Sequence, residues 1–210
     1  MSRWLSIGGV FTILFLGLGV VVSGPPSAVD LTVAGWVQGW WRGTPGRVAQ
    51  VVSDAFGPVV PAVFAIALAV GIVVCWRRGL RFQAGVSLRV LAVLAATRLV
   101  SVVFKPLFVR DRPRAYPEFS YPSGHVVSIC GTGLAATLLC VWLAPRLTRW
   151  VVVCFSVATV LCAASRVVLG VHWLSDTVGA VLGVLGVGIL TAWAVRLLPP
   201  QIVPSPTPSA

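Results

Sequence analysis

Six long apolar stretches, at about residues 4–23, 58–76, 87–104, 125–144, 150–168 and 175–195, dominate the pattern of this chain. Each approaches the roughly 17–25 residues that a helix needs to cross a bilayer's hydrocarbon core. Backbone in lipid must satisfy its hydrogen bonds within the segment, so stretches of this length are helices. The pattern predicts an all-α fold: a polytopic membrane bundle of six transmembrane helices within residues 1–198. The first stretch follows Arg3 as a signal peptide's core would. However, Pro25 and Pro26 sit in the only candidate cleavage stretch, SGPPS, and five more spans follow, so it reads as a retained anchor. The end, PPQIVPSPTPSA at 199–210, is Pro/Ser-rich and reads as a disordered cytoplasmic tail.

Between the first two spans the pattern changes. DLTVAGWVQGWWRG, within an external segment at about 24–57, predicts a short helix beginning near Asp30. Trp36, Trp40 and Trp41 share one side of it, at the headgroup level that tryptophan favours. This segment reads as a scaffold or a guide for substrate. GAVLG at 179–183 gives the last span a small-xxx-small face for close packing.

Composition agrees with a membrane protein. Hydrophobic residues make up 58% of the chain and charged residues 10%, against roughly 25% charged in soluble domains. Sixteen basic residues against five acidic ones give a net charge of +11. No basic stripe alternates with aromatics, so nucleic acid is not the expected partner. Anionic headgroups or an anionic substrate are. Arg3, Arg77, Arg78, Arg81, Arg146, Arg149 and Arg196 all fall on one side, which the charge rule makes cytoplasmic. Val/Ala/Gly/Arg-rich usage suggests a GC-rich bacterial genome, hence a bacterial plasma membrane. The opposite, extracytoplasmic side carries all five carboxylates, Asp30, Asp54, Asp111, Glu118 and Asp176, as a scattered set. It also holds seven bases, most of them clustered: Arg42, Arg47, Lys105, Arg110, Arg112, Arg114 and Arg166. Arg98 is embedded in the third span, and it either snorkels or pairs with a polar group of the bundle. Cys75, Cys130, Cys140, Cys154 and Cys162 form no CxxC pair and read as small buried hydrophobes.

Three polar clusters meet on the extracytoplasmic side. In KPLFVRDRPR (105–114), Lys105 ends the third span, and Pro106 and Pro113 stiffen a path that bends Lys105 and Arg112 toward one point. In YPSGH (121–125), Pro122 and Gly124 signal a turn before a long helix. Ser123 is its expected cap, and free N–H groups there form an anion site beside His125. In SRVVLGVHWLSD (165–176), His172 and Asp176 are four residues apart and share a face if that stretch is helical. The carboxylate then fixes one ring nitrogen and leaves the other as nucleophile or base. Arg166 needs a turn to reach the same place. Dispersed cations, helix-start amides, two histidines and one carboxylate suit a tetrahedral phosphate. Scattered carboxylates suit a two-metal centre poorly, so no metal is expected.

These residues closely resemble the signatures of the type 2 phosphatidic acid phosphatase (PAP2) superfamily. Lys-x6-Arg-Pro is KPLFVRDRP, with Lys105, Arg112 and Pro113. Pro-Ser-Gly-His runs from Pro122 to His125. Ser-Arg-x5-His-x3-Asp is SRVVLGVHWLSD, with Ser165, Arg166, His172 and Asp176. The resemblance implies that Lys105, Arg112 and Arg166 hold phosphate oxygens and that Ser123 and Gly124 add hydrogen bonds. It implies that His172 attacks phosphorus to give a phosphohistidine, that Asp176 orients it, and that His125 protonates the leaving oxygen. Water then cleaves the phosphoenzyme, and the resemblance implies that no cofactor is required. The six spans resemble the membrane phosphatases rather than the family's soluble haloperoxidases.

The expected activity is hydrolysis of a membrane lipid's phosphate monoester or diphosphate. A polyprenyl diphosphate fits an external site best. Phosphatidylglycerophosphate, phosphatidic acid and polyprenyl-phosphoribose phosphate remain open, as does phosphate transfer to another acceptor. A transporter or scaffold would carry charge along its midspans, where Arg98 alone stands out. Oligomeric state is not legible.

Overall fold

The computed structural model describes residues 3–198, so the expected tail at 199–210 lies outside the described residues. Eight α-helices follow one another: α1 (Arg3–Val22), α2 (Ala28–Trp36), α3 (Thr44–Ala55), α4 (Val59–Arg77), α5 (Arg81–Phe108), α6 (Gly124–Leu143), α7 (Thr148–Val168) and α8 (Leu174–Ala194). The described residues contain no strand. Among the described residues six helical segments are long and apolar enough to cross a membrane. The all-α, six-span fold is therefore observed.

α5, α6 and α8 form the centre. α1 lies along α8, while α4 and α7 flank α5 and α6. Apolar side chains on the outer faces stay exposed, such as Ile13, Val20 and Val70, as suits helices bathed in hydrocarbon. Close approach in the middle depends on small residues. A Cβ added at Gly183 would come within 2.8 Å of Val100 Cγ1, and Gly179 faces the Tyr121 ring. Both ends of the GAVLG stretch thus serve as contact points between elements.

α1 is built into the core rather than appended to it. Phe15 is fully buried, and its ring meets Phe104 edge-on at 4.9 Å and stacks with Tyr121 at 5.5 Å. Tyr121 Oη donates to the Phe15 carbonyl at 2.7 Å. Aromatic pairs of this geometry add to simple burial. Here they fasten the segment after α5, which carries much of the polar chemistry, to α1.

Two expected elements differ. The third span is longer than hydropathy suggested, because α5 runs from Arg81 to Phe108. Hydropathy trims polar ends, whereas a helix continues into the headgroup layer. Lys105 therefore lies in the last helical turn and Pro106 inside the helix, not in a stiffened loop. The short helix expected near Asp30 is α2, but it ends at Trp36, so Trp40 and Trp41 do not share its face. Gly39, at φ +81°, breaks the segment, and Trp40–Arg42 form a separate 3₁₀ turn. Trp36 and Trp40 are exposed, while Trp41 lies beneath the Arg114 guanidinium at 4.4 Å.

Candidate active site

At the end of the bundle where α5 and α7 finish and α6 and α8 begin, a cavity of about 420 Å³ collects Lys105, Arg112, Gly124, His125, Arg166 and His172. Arg98, Tyr116, Glu118 and Pro58 also line it. The three sequence clusters therefore converge on one space. Lys105 comes from the last turn of α5, His125 from the first turn of α6, and Arg166 from the last turn of α7.

His172 is almost fully buried. Its Nδ1 stands 3.3 Å from Asp176 Oδ2, and its Nε2 stands 3.3 Å from Arg112 Nη1. A guanidinium can only donate, so the second contact requires a lone pair on Nε2 and leaves the proton on Nδ1. The pair does not form across a helical face, because α8 starts at Leu174, after His172. Asp176 instead folds back to accept from the Trp173 N–H at 2.8 Å, capping the helix start. That local cap is what aims its carboxylate at the imidazole. Burial pushes the His172 pKa down to about 4, and the positive Arg112 and Arg166 add to this against Asp176.

The cations are held by neighbours that leave part of each free. Arg112 donates to the carbonyls of Glu118 (2.9 Å), Val171 (2.8 Å) and Phe119 (3.2 Å). Arg166 Nη1 donates to Ser53 Oγ on α3 at 2.7 Å, and its buried Nε has no partner. Lys105 Nζ pairs with the largely exposed Glu118 carboxylate at 2.8 Å, and the same carboxylate stands 3.9 Å from Arg112. The hydrogen bond from Lys105 holds Glu118 below the usual carboxylate range.

Ser123 occupies the N-cap position of α6, but its side chain makes no capping bond. Its Oγ is buried without a partner, and its N–H donates to the Asp176 carbonyl at 3.2 Å. The expected cap is thus a spare hydroxyl. The amides available to an anion at this helix start begin with Gly124, not Ser123.

The five carboxylates lie scattered along the sequence, but the fold brings two of them, Asp30 and Asp176, onto one arginine. Arg110, 2% exposed, bridges Asp30 of α2 (2.8 Å) and Asp176. Ser175 closes the network, with its N–H and Oγ both donating to Asp30, at 3.0 and 2.6 Å. Ser120 Oγ donates to Asp176 as well. Burial opposes a charge on Asp30, but the bonds from Ser175 and Arg110 outweigh it and hold its pKa low. Arg110 was visible inside the first cluster. Asp30 is 80 residues away from it in sequence and gave no such signal. Arg98 also has a place: it bonds Ser128 Oγ and the Gly124 carbonyl (3.4 Å), so it pairs with polar groups of the bundle.

Fold and site together define a helical membrane protein with a cationic, two-histidine cavity at one end of the bundle. The chain belongs to the PAP2 superfamily, whose family model matches residues 87–200. No curated protein matches it. Among solved structures it is similar to a transmembrane PAP2-type phosphatidylglycerolphosphate phosphatase from Bacillus subtilis. The identity is 25% and the TM-score 0.66, over 90% of this chain and 94% of that one. Family and neighbour together support lipid phosphatase activity.

Proposed function

We propose that this protein removes the terminal phosphate of a membrane lipid through a phosphohistidine at His172, with a polyprenyl diphosphate as substrate. The observation that carries the mechanism is the orientation of His172: Nδ1 toward Asp176, Nε2 toward Arg112 in the cationic cavity. Lys105, Arg112 and Arg166 hold the phosphoryl oxygens, with the Gly124 amide and Ser123 Oγ beside them. Displacement of Glu118 from Lys105 accompanies binding. The Nε2 lone pair forms the N–P bond while the P–O bond breaks, and its electron pair leaves on the departing oxygen. His125 protonates that oxygen where the leaving group is a poor one. His125 then takes a proton from water, whose oxygen attacks the phosphohistidine. Orthophosphate leaves and His172 is restored. Side-chain cations stabilise the charge of the phosphoryl group in transit.

The site faces the extracytoplasmic side of a bacterial plasma membrane in this reading. Arg77, Arg78, Arg81, Arg146 and Arg149 lie at the opposite helix ends, as cytoplasmic ends require. An external site meets spent prenyl carriers where they are released. The similar Bacillus subtilis phosphatase makes phosphatidylglycerophosphate the second substrate to test. Purified protein in nanodiscs, given a prenyl diphosphate, phosphatidylglycerophosphate or phosphatidic acid, should release orthophosphate fastest from the first. Faster release from either of the others overturns the substrate assignment. Release from none overturns the activity.

A further inference from the structure

The three signature cations account for one phosphate, but the cavity contains a fourth. Arg98 lies seven residues before Lys105 on α5, roughly 10 Å deeper along the helix at 1.5 Å per residue. Its side chain climbs back toward the site. Arg98 Nη1 reaches the Gly124 carbonyl at 3.4 Å, and so arrives at the α6 turn that carries His125. Its other bond is to Ser128 Oγ. Both partners are neutral oxygens. Among the described residues Arg98, like Arg166, has no carboxylate within ion-pair distance, whereas Lys105 and Arg112 each have one and Arg110 has two. A guanidinium at this depth without a counter-ion is costly to keep. Glu118, the one carboxylate lining the cavity, is engaged at the mouth with Lys105.

We infer that Arg98 forms a second anion subsite, which holds a phosphate lying between the reacting phosphate and the lipid tail. This rests on the phosphatase reading above. The order of groups follows the fold. In this scheme the reacting phosphorus sits at His172, the leaving oxygen at His125, and Arg98 bonds the same α6 turn from deeper along α5, which assigns it the lipid side of the headgroup. Lipid headgroups with two phosphates fit this order, and a headgroup with one phosphate leaves Arg98 without an anion. Prenyl diphosphates carry the second phosphate next to the first, and phosphatidylglycerophosphate carries it one glycerol further on. Phosphatidic acid has none. A positive group held there stabilises a leaving phosphate as its charge grows, which also reduces the need for a proton from His125.

The test is kcat/KM in nanodiscs for all three lipids with wild type, Arg98→Gln and Arg98→Lys. Arg98→Gln should lower the value for a two-phosphate lipid at least about tenfold more than for phosphatidic acid, the scale of one charge-assisted hydrogen bond. Arg98→Lys should recover part of that selectivity. Selective loss with the prenyl diphosphate alone, or with phosphatidylglycerophosphate alone, identifies the occupant. Equal loss with all three lipids makes Arg98 a tie between α5 and α6 and overturns the inference. If Arg98→Gln does not fold, wild type still decides. Methylenediphosphonate should compete about tenfold more tightly than methylphosphonate, the scale expected from one further charge-assisted contact, and equal competition overturns the subsite. Wild type that releases phosphate from no lipid brings down the phosphatase reading. Direct binding of the two phosphonates to wild type, measured by calorimetry, still reports on the subsite separately.

Discussion

Single side chains give the proposal its sharpest tests. His172→Ala should abolish phosphoenzyme formation, because Nε2 makes the only bond to phosphorus. Asp176→Asn should slow trapping by a factor of about 10³–10⁴ yet leave some, since it acts through tautomer and charge. His125→Ala should hurt most with an alkoxide leaving group and least with a diphosphate. Rapid-quench labelling with both lipid classes separates the three. Phosphohistidine formed at the wild-type rate by folded His172→Ala protein would refute the assignment. Glu118 is the opposite case. Its carboxylate neutralises Lys105 and neighbours Arg112 from an exposed position. Exposed pairs are worth about 0–1 kcal/mol. Glu118→Gln should therefore lower KM by about two- to fivefold with kcat little changed, and added salt should shrink the difference. An unchanged KM at low salt would mean the carboxylate does not compete with substrate.

The buried imidazole also makes a pH prediction. Burial lowers the His172 pKa from 6.5 to about 4. Its nucleophilic form therefore persists as pH falls below 6.5 and is lost only as pH passes through about 4. The chain has two histidines, so His125→Gln leaves one imidazole to follow by nitrogen NMR in micelles. A His172 midpoint at or above 6.5 would contradict the burial argument. At this scale the signatures were legible because each is contiguous in sequence. Arg98 and Glu118 were not, because their roles depend on which groups across the bundle answer their charge.

At the scale of elements, α2 matters more than its tryptophans suggested. It sets Asp30 against Arg110, and Arg110 in turn holds the carboxylate that positions His172. Asp30→Asn should slow phosphoenzyme formation by roughly tenfold, the scale of one buried charged bond, with KM nearly constant. Arg110→Met should do more harm, because it leaves two buried carboxylates unpaired. Wild-type kcat in folded Asp30→Asn protein would reduce α2 to packing. Hydropathy located all six spans because apolar length is what the bilayer selects. It missed the extra turns of α5, whose ends are polar, and the break at Gly39, which depends on a local left-handed backbone. The convergence of Asp30 with Asp176 was invisible for another reason: no periodicity links residues so far apart.

The molecule as a whole concentrates its chemistry at one end and plain arginines at the other. Lys105, Arg112, Arg166 and both histidines gather around one cavity, whereas Arg77, Arg78, Arg81, Arg146 and Arg149 sit where α4 ends and α5 and α7 begin. The charge rule counts bases in short loops near helix ends, and a cluster committed to binding an anion distorts that count. Setting the site cluster aside makes the asymmetry clear and supports the proposed extracytoplasmic cavity. Single cysteines in a cysteine-free variant test this. Tyr116 is exposed at the cavity's mouth, and Arg146 lies in the turn between α6 and α7 at the far end. In intact cells a membrane-impermeant maleimide should label Tyr116→Cys and spare Arg146→Cys until the membrane is opened. Labelling in the reverse order would put the cavity in the cytoplasm. The substrate would then have to be a lipid phosphate produced on the inner leaflet, and the prenyl-carrier assignment would fail even if the histidine chemistry held.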